Sequence, residues 1–183
     1  MPRGVRLTLQ AAAVLVLLGM VGLFARSLAQ NQTTVYALVK DGKTPQAPNF
    51  SLPDLRGSGH DSLAAYRGRI VLLNFWASWC DACQEEAPLF NQVTAQYGRQ
   101  GVTVVGVDTG DFASDGRAFA RTYHERYPLV HDSGSVSQRW GTGSGLPVTY
   151  VIDRQGKVVH LFDGVVTGNS LNAVLRPMLQ GRA

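Results

Sequence analysis

Residues Arg69 to Ala77, RIVLLNFWA, constrain this chain most, because after the opening arginine only Asn74 interrupts a run of apolar side chains. The run is rich in β-branched and aromatic residues and too short for a typical helix, so it reads as a strand without a polar face. Such a strand must be covered from both sides. It therefore belongs in the middle of a sheet with helices on each face, as in α/β domains.

The flanking segments agree with that placement. Asp81 to Tyr97, DACQEEAPLFNQVTAQY, has the spacing of an amphipathic helix, with Gly98 as a stop and a kink expected near Pro88. GVTVVGVD, ending at Asp108, is the next strand, and SDGRAFARTYHERY the next helix, with Ser114 or Asp115 as its cap. PLVHD is a short strand and SVSQRWG a turn or two of helix. PVTYVID and KVVHLFDG read as a hairpin around Arg154-Gln155-Gly156, and NSLNAVLRPMLQ as a final helix capped by Asn169 or Ser170. Ahead of the central run, NFSLPDL suggests a short strand broken by Pro53, and DSLAAYRG one capped turn. The predicted fold is α/β: a central mixed sheet flanked by helices, parallel in its first half through right-handed crossovers and antiparallel at the hairpin.

The first thirty residues are different in kind. A cationic start, MPRGVR, precedes 19 uncharged residues from Leu7 to Ala25. At about 1.5 Å per helical residue, that run approaches the roughly 30 Å of a bilayer core. It is also longer than the roughly 7 to 15 residues of a signal core, which favours a retained anchor, although Ser27 to Ala29 offers a cleavage site. In either case the basic residues ahead of the run predict that the rest of the chain lies outside the cytoplasm. The expected organisation is an anchor or signal segment at 1–29, a polar tether at 30–47, and one folded domain at 48–183. Arg3, Arg6 and Arg26 carry most of the formal charge of +4, and without them 14 basic residues face 13 acidic ones. No basic cluster remains to bind nucleic acid. The glycine-rich GTGSGLP lacks the Lys-Ser/Thr ending of a phosphate loop.

Cys80 and Cys83 are the only cysteines. A zinc site would need two more ligands at suitable spacing, and His60, His124, His131 and His160 are scattered singly. As a structural staple, so short a loop would constrain little of the unfolded chain. Redox exchange suits the context better. The pair follows a buried strand and opens a helix, where unpaired backbone N–H groups stabilise a thiolate. Cys80 is then expected to be the exposed nucleophile, and Cys83, nearly a turn along, the more buried thiol that resolves a mixed disulfide. Trp76 reads as a core aromatic, and Trp79, next to the thiol, as its shield from water.

With these residues together, FWASWCDAC resembles the strand and Trp-Cys-x-x-Cys signature of the thioredoxin superfamily, and Pro88 its helix proline. GLPVTYVID resembles the second signature, which implies a cis Pro147 facing the cysteines and a substrate surface formed by Trp79, Leu146 and Pro147. The likeness covers roughly residues 45–183. Where thioredoxins carry a buried acid on the strand, this chain has Asn74, and it has Glu86 three residues after Cys83. Together with the extra strand and helix between Val102 and Tyr127, that is similar to the membrane-tethered TlpA/ResA-like oxidoreductases, including those serving cytochrome c maturation. The resemblance implies that Glu86 lies beside the thiols, that disulfides of proteins such as apocytochrome c are the substrates, and that a transmembrane thiol carrier supplies electrons. It implies no organic cofactor and no metal. Other uses of such a fold are a disulfide-forming oxidant, a copper chaperone adding His131 or His160 to the two thiols, and a peroxidase, which would need Thr in place of Trp79.

Overall fold

The computed structural model describes residues 14–23, 34–142 and 145–181. They fall into two units divided after Thr33. In the first, residues 14–23 form a helix, α1, whose large apolar side chains, such as Leu15 and Leu23, are exposed. The rest of the apolar run from Leu7, and the triplet Ser27 to Ala29, lie outside the described residues. Among the described residues no helix is long and apolar enough to cross a membrane.

The second unit begins at Thr34. The segment expected to be a polar tether is structured from this point. Thr34 Oγ1 accepts the Ala37 N–H at 3.2 Å and starts helix α2, Val35–Lys40. Val35 is buried in a cluster with Trp140 and Val158. Burying a valine is worth about 1.5 to 3 kcal/mol, enough to seat a six-residue helix that would not persist alone.

Strands β1 (Ser51–Pro53) and β2 (His60–Ser62) pair antiparallel and lead through a 3-10 turn, Leu63–Tyr66, into β3, Ile70–Trp76. All seven residues of β3 are buried, and β3 is the middle strand of the sheet. Helix α3, Asp81–Tyr97, contains Pro88 and is followed by β4, Val102–Thr109, α4, Ala113–Thr122, and β5, Leu129–Asp132. Then come α5, Ser135–Trp140, the antiparallel strands β6, Val148–Ile152, and β7, Val158–Asp163, and α6, Gly168–Leu179. The strand order is β5-β4-β3-β6-β7, with β3, β4 and β5 parallel and β6 antiparallel to β3.

Alternation along β3 divides the interior. Ile70, Leu72 and Trp76 point to the layer holding α3, α4 and α6, where they meet Phe90, Phe119 and Leu175. Val71, Leu73 and Phe75 point to the other layer, with Phe50, Val136 and Trp140. Trp76 stacks on Phe119 with ring centroids 4.6 Å apart, as suits a core aromatic.

Two helix starts differ from the sequence reading. Helix α4 begins at Ala113 with Phe112 in the cap position and no side-chain cap. Helix α6 is capped by Thr167, because Thr167 and Ser170 bond each other's backbone N–H reciprocally. The helix expected to reach Tyr127 stops at Thr122, and His124 adopts a left-handed φ of 52°.

Candidate active site

The hydrophobic run of β3 ends at Trp76, and four residues later the chain turns into α3 at Cys80. Cys80 is the N-cap, and its Sγ accepts the Cys83 N–H at 3.2 Å. Its carbonyl accepts the N–H groups of Cys83 and Gln84 at 3.0 and 3.3 Å. A sulfur in this position shares a first-turn helix donor with its own residue's carbonyl and sits at the positive end of the helix dipole, so negative charge on it is favoured. Cys80 and Cys83 are joined as a disulfide with Cα atoms 5.3 Å apart. Cys80 is 6% and Cys83 3% exposed. The contrast expected between an open nucleophile and a hidden resolving thiol is therefore slight in this oxidised form, because both sulfurs lie within the α3 core.

Trp79 stands largely in solvent beside Cys80 in the chain. It is 62% exposed, and its indole N–H donates to the Gly110 carbonyl at 3.0 Å, so the ring is turned toward the loop after β4. The same loop holds the chain ahead of Cys80 through a second bond, in which Asp111 Oδ2 accepts the Ser78 N–H at 2.7 Å.

Glu86, one turn beyond Cys83, is 1% exposed, while its neighbour Glu85 is exposed. Glu86 accepts hydrogen bonds from the Val166 N–H and from Asn74 Nδ2, the latter at 3.3 Å. Asn74 Nδ2 also donates to Thr149 Oγ1 at 3.0 Å. Register accounts for that contact, since Asn74 on β3 pairs with Thr149 on β6. Burial pushes the Glu86 carboxyl up to about 7 against the opposing pull of its two donors. The site thus holds a carboxyl that exchanges a proton near neutral pH, on the same helix as the dithiol.

The Leu146–Pro147 bond is cis. Pro147 precedes β6, whose Val148 pairs with Phe75 near the end of β3, so the proline lies at the end of the sheet from which the cysteine loop departs. Pro147 is buried, and its carbonyl accepts the Gly164 N–H at 3.0 Å. Leu146 is half-buried and packs against the cluster that contains both cysteines.

A second polar group was not anticipated. Asp108 on β4 and His131 on β5 are register partners, and His131 Nδ1 lies 2.8 Å from Asp108 Oδ2. Asp108 is fully buried, which pushes its carboxyl upward while His131 pulls it down. A Cβ on Gly116 of α4 would lie 2.4 Å from Asp108 Oδ2, so only glycine lets the helix approach the acid this closely. The only sequence signal was an acid ending an apolar strand. His160, on β7, packs against Phe162 with ring centroids 4.5 Å apart. Among the described residues no group of three or more His, Cys, Asp or Glu side chains could hold a metal ion.

A mixed sheet of this order, with a Cys-x-x-Cys disulfide at the N-terminus of the helix that follows its central strand, defines a thioredoxin-like thiol-disulfide oxidoreductase. The profile of the AhpC/TSA family matches residues 44–161, and the chain belongs to that family. It is 36% identical over 163 residues to the thiol-disulfide oxidoreductase ResA of Geobacillus kaustophilus, covering 88% of this chain and 90% of that protein. It is 32% identical to the ResA of Bacillus subtilis over 144 residues, covering 76% of this chain and 80% of that one. Among solved structures, the thiol:disulfide interchange protein DsbE of Chlorobium tepidum superposes with a TM-score of 0.68 at 30% identity, covering 76% of this chain and 97% of that one.

Proposed function

We propose that this chain is held by its N-terminal segment at the outer face of a bacterial plasma membrane and reduces disulfides in substrate proteins there, with the haem-binding cysteines of apocytochrome c as the leading target. The observation that carries this reading is Glu86, buried on the dithiol's helix with its carboxyl pushed up to about 7. A poorly solvated carboxylate close to two thiols disfavours thiolate at both, which destabilises the reduced pair and makes it a better electron donor.

In the forward cycle the Cys80 thiolate attacks one sulfur of the substrate disulfide and releases the other as a thiolate. The Cys83 thiolate then attacks Cys80 Sγ, freeing the second substrate sulfur and leaving the Cys80–Cys83 disulfide. Two electrons pass to the substrate, and protons return to the released thiolates. Glu86 serves as the local acceptor for the Cys83 proton. Trp79, Leu146 and Pro147 border the path to Cys80. Outside the cytoplasm no glutathione pool restores the dithiol, so a transmembrane thiol carrier supplies the two electrons.

The equilibrium potential of the Cys80/Cys83 couple tests the direction. A value more negative than about −230 mV is expected, and one near the roughly −120 mV of strong disulfide-forming oxidants would overturn the reductant reading. Cells expressing Cys83→Ser should accumulate mixed disulfides on Cys80 whose partners identify the substrates. Their absence would remove the proposed roles of both cysteines.

A further inference from the structure

Three large apolar side chains stand exposed on the described part of the folded unit: Trp79 at 62%, Phe112 at 77% and Val165 at 46%. Two of them, Trp79 and Phe112, line one open cleft of about 540 Å³ next to Cys80, together with Ser78, Asp111, Asp115 and His131. Phe112 is out of place for folding. It occupies the N-cap of α4, where Ser, Thr, Asp or Asn would add about 1 kcal/mol, and it buries almost nothing in return. A local preference given up without any packing gain marks a residue kept for an external contact.

The charge of the cleft selects what that contact is. Its lining carries Asp111, Asp115 and Asp132, with His131 as the only basic type and neither Lys nor Arg. Asp132 is spent on the backbone of α5, taking the N–H groups of Val136 and Ser137, and Asp111 holds Ser78 and Phe112. Asp115 is exposed at the rim. A Lys or Arg side chain can lie over the face of an exposed tryptophan and pair with a carboxylate at the same time. An apolar neighbour of that side chain can cover Phe112.

We propose that this cleft docks the polypeptide flanking a substrate's cysteine and favours segments that carry Lys or Arg beside an apolar residue. The inference rests on the thiol-disulfide oxidoreductase reading and adds the substrate's chemistry. Ser78 and Trp79, which line the cleft, immediately precede Cys80 in the chain, so the cleft begins beside the reactive sulfur.

The test uses the reduced full-length chain in detergent. Two disulfide peptides differ only in bearing Lys or Glu on either side of the cysteines, and 2-hydroxyethyl disulfide, too small to reach the cleft, provides the reference rate. At low ionic strength the Lys peptide is expected to be reduced about tenfold faster than the Glu peptide, a ratio that shrinks as salt screens the cleft. Asp115→Lys should cut that ratio at least fivefold, and Asp115→Asn, a milder change for the helix, should cut it by a smaller factor in the same direction. Phe112→Ser should slow both peptides relative to the reference. Equal rates for the two peptides, or a ratio untouched by both Asp115 variants, would overturn the proposal while the reference reaction keeps the redox reading intact. A chain that reduces neither peptides nor reference removes the redox reading and this inference with it.

Discussion

Replacing Glu86 by Gln makes the cost of its buried charge measurable. The carboxyl is 1% exposed and moves from an ordinary 4.5 to about 7, with burial as the leading cause. A carboxyl whose folded pKa is raised favours the folded state most when it is protonated. Its contribution is complete below about 4.5 and is lost as the pH rises through about 7. At about 1.4 kcal/mol per unit the full loss is about 3 kcal/mol. Glutamine does not ionise, so its variant escapes that loss. It carries instead a constant penalty of about 1 kcal/mol, because its amide N–H groups face the Asn74 donor. Urea unfolding of the oxidised protein at pH 4 and pH 8, for parent and variant, separates the two effects. Asp108 and Glu125, also buried, titrate alike in both proteins and drop out of the double difference. The variant should gain about 3 kcal/mol on the parent between the two pH values. A difference that does not change with pH would refute the assignment of a proton-binding carboxyl at Glu86.

Other outcomes follow from the same contacts. Asn74→Ala removes a donor that holds the Glu86 carboxyl down, so its midpoint, followed by NMR of the side-chain carboxyl carbon, should move further above 7; a downward move would contradict the hydrogen bond. Gly106→Ala would bring a Cβ within 2.6 Å of Leu129 and 2.8 Å of the Trp76 indole nitrogen, and should cost about 1 to 3 kcal/mol in urea unfolding. Thr167→Ala removes the reciprocal cap of α6 and should cost about 1 kcal/mol, which Thr167→Ser should largely restore.

The parts of this molecule governed by local pattern could be read from its sequence. β3 falls one residue inside each end of the apolar run, and α3 covers Asp81 to Tyr97 as its periodicity indicated. The order of strands and helices follows from the same alternation. What escaped depends on partners distant in the chain. Glu86 was set apart from Glu85 by its place three residues after Cys83, but the Val166 N–H that holds it, 80 residues away, comes only with the fold. Trp79 leans outward because its N–H finds Gly110, 31 residues on. The Asp108–His131 pair requires the β4–β5 register, which periodicity does not supply. Helix α2 is six residues long and owes its existence to Val35 reaching a core formed by later strands. The sequence placed the cap of α6 at Asn169 or Ser170, and the backbone path puts it at Thr167 instead.

The strand leading to the reactive sulfurs is walled on both sides along its whole length, while the ring closed by those sulfurs spans only four residues. Opening so small a ring frees little chain, on the order of 2 kcal/mol, and of the two cores that enclose the strand only the one on the α3 side contains the sulfurs. The scaffold can therefore be charged and discharged with electron pairs turnover after turnover without loosening, and wear on the protein falls on its chemistry rather than on its architecture.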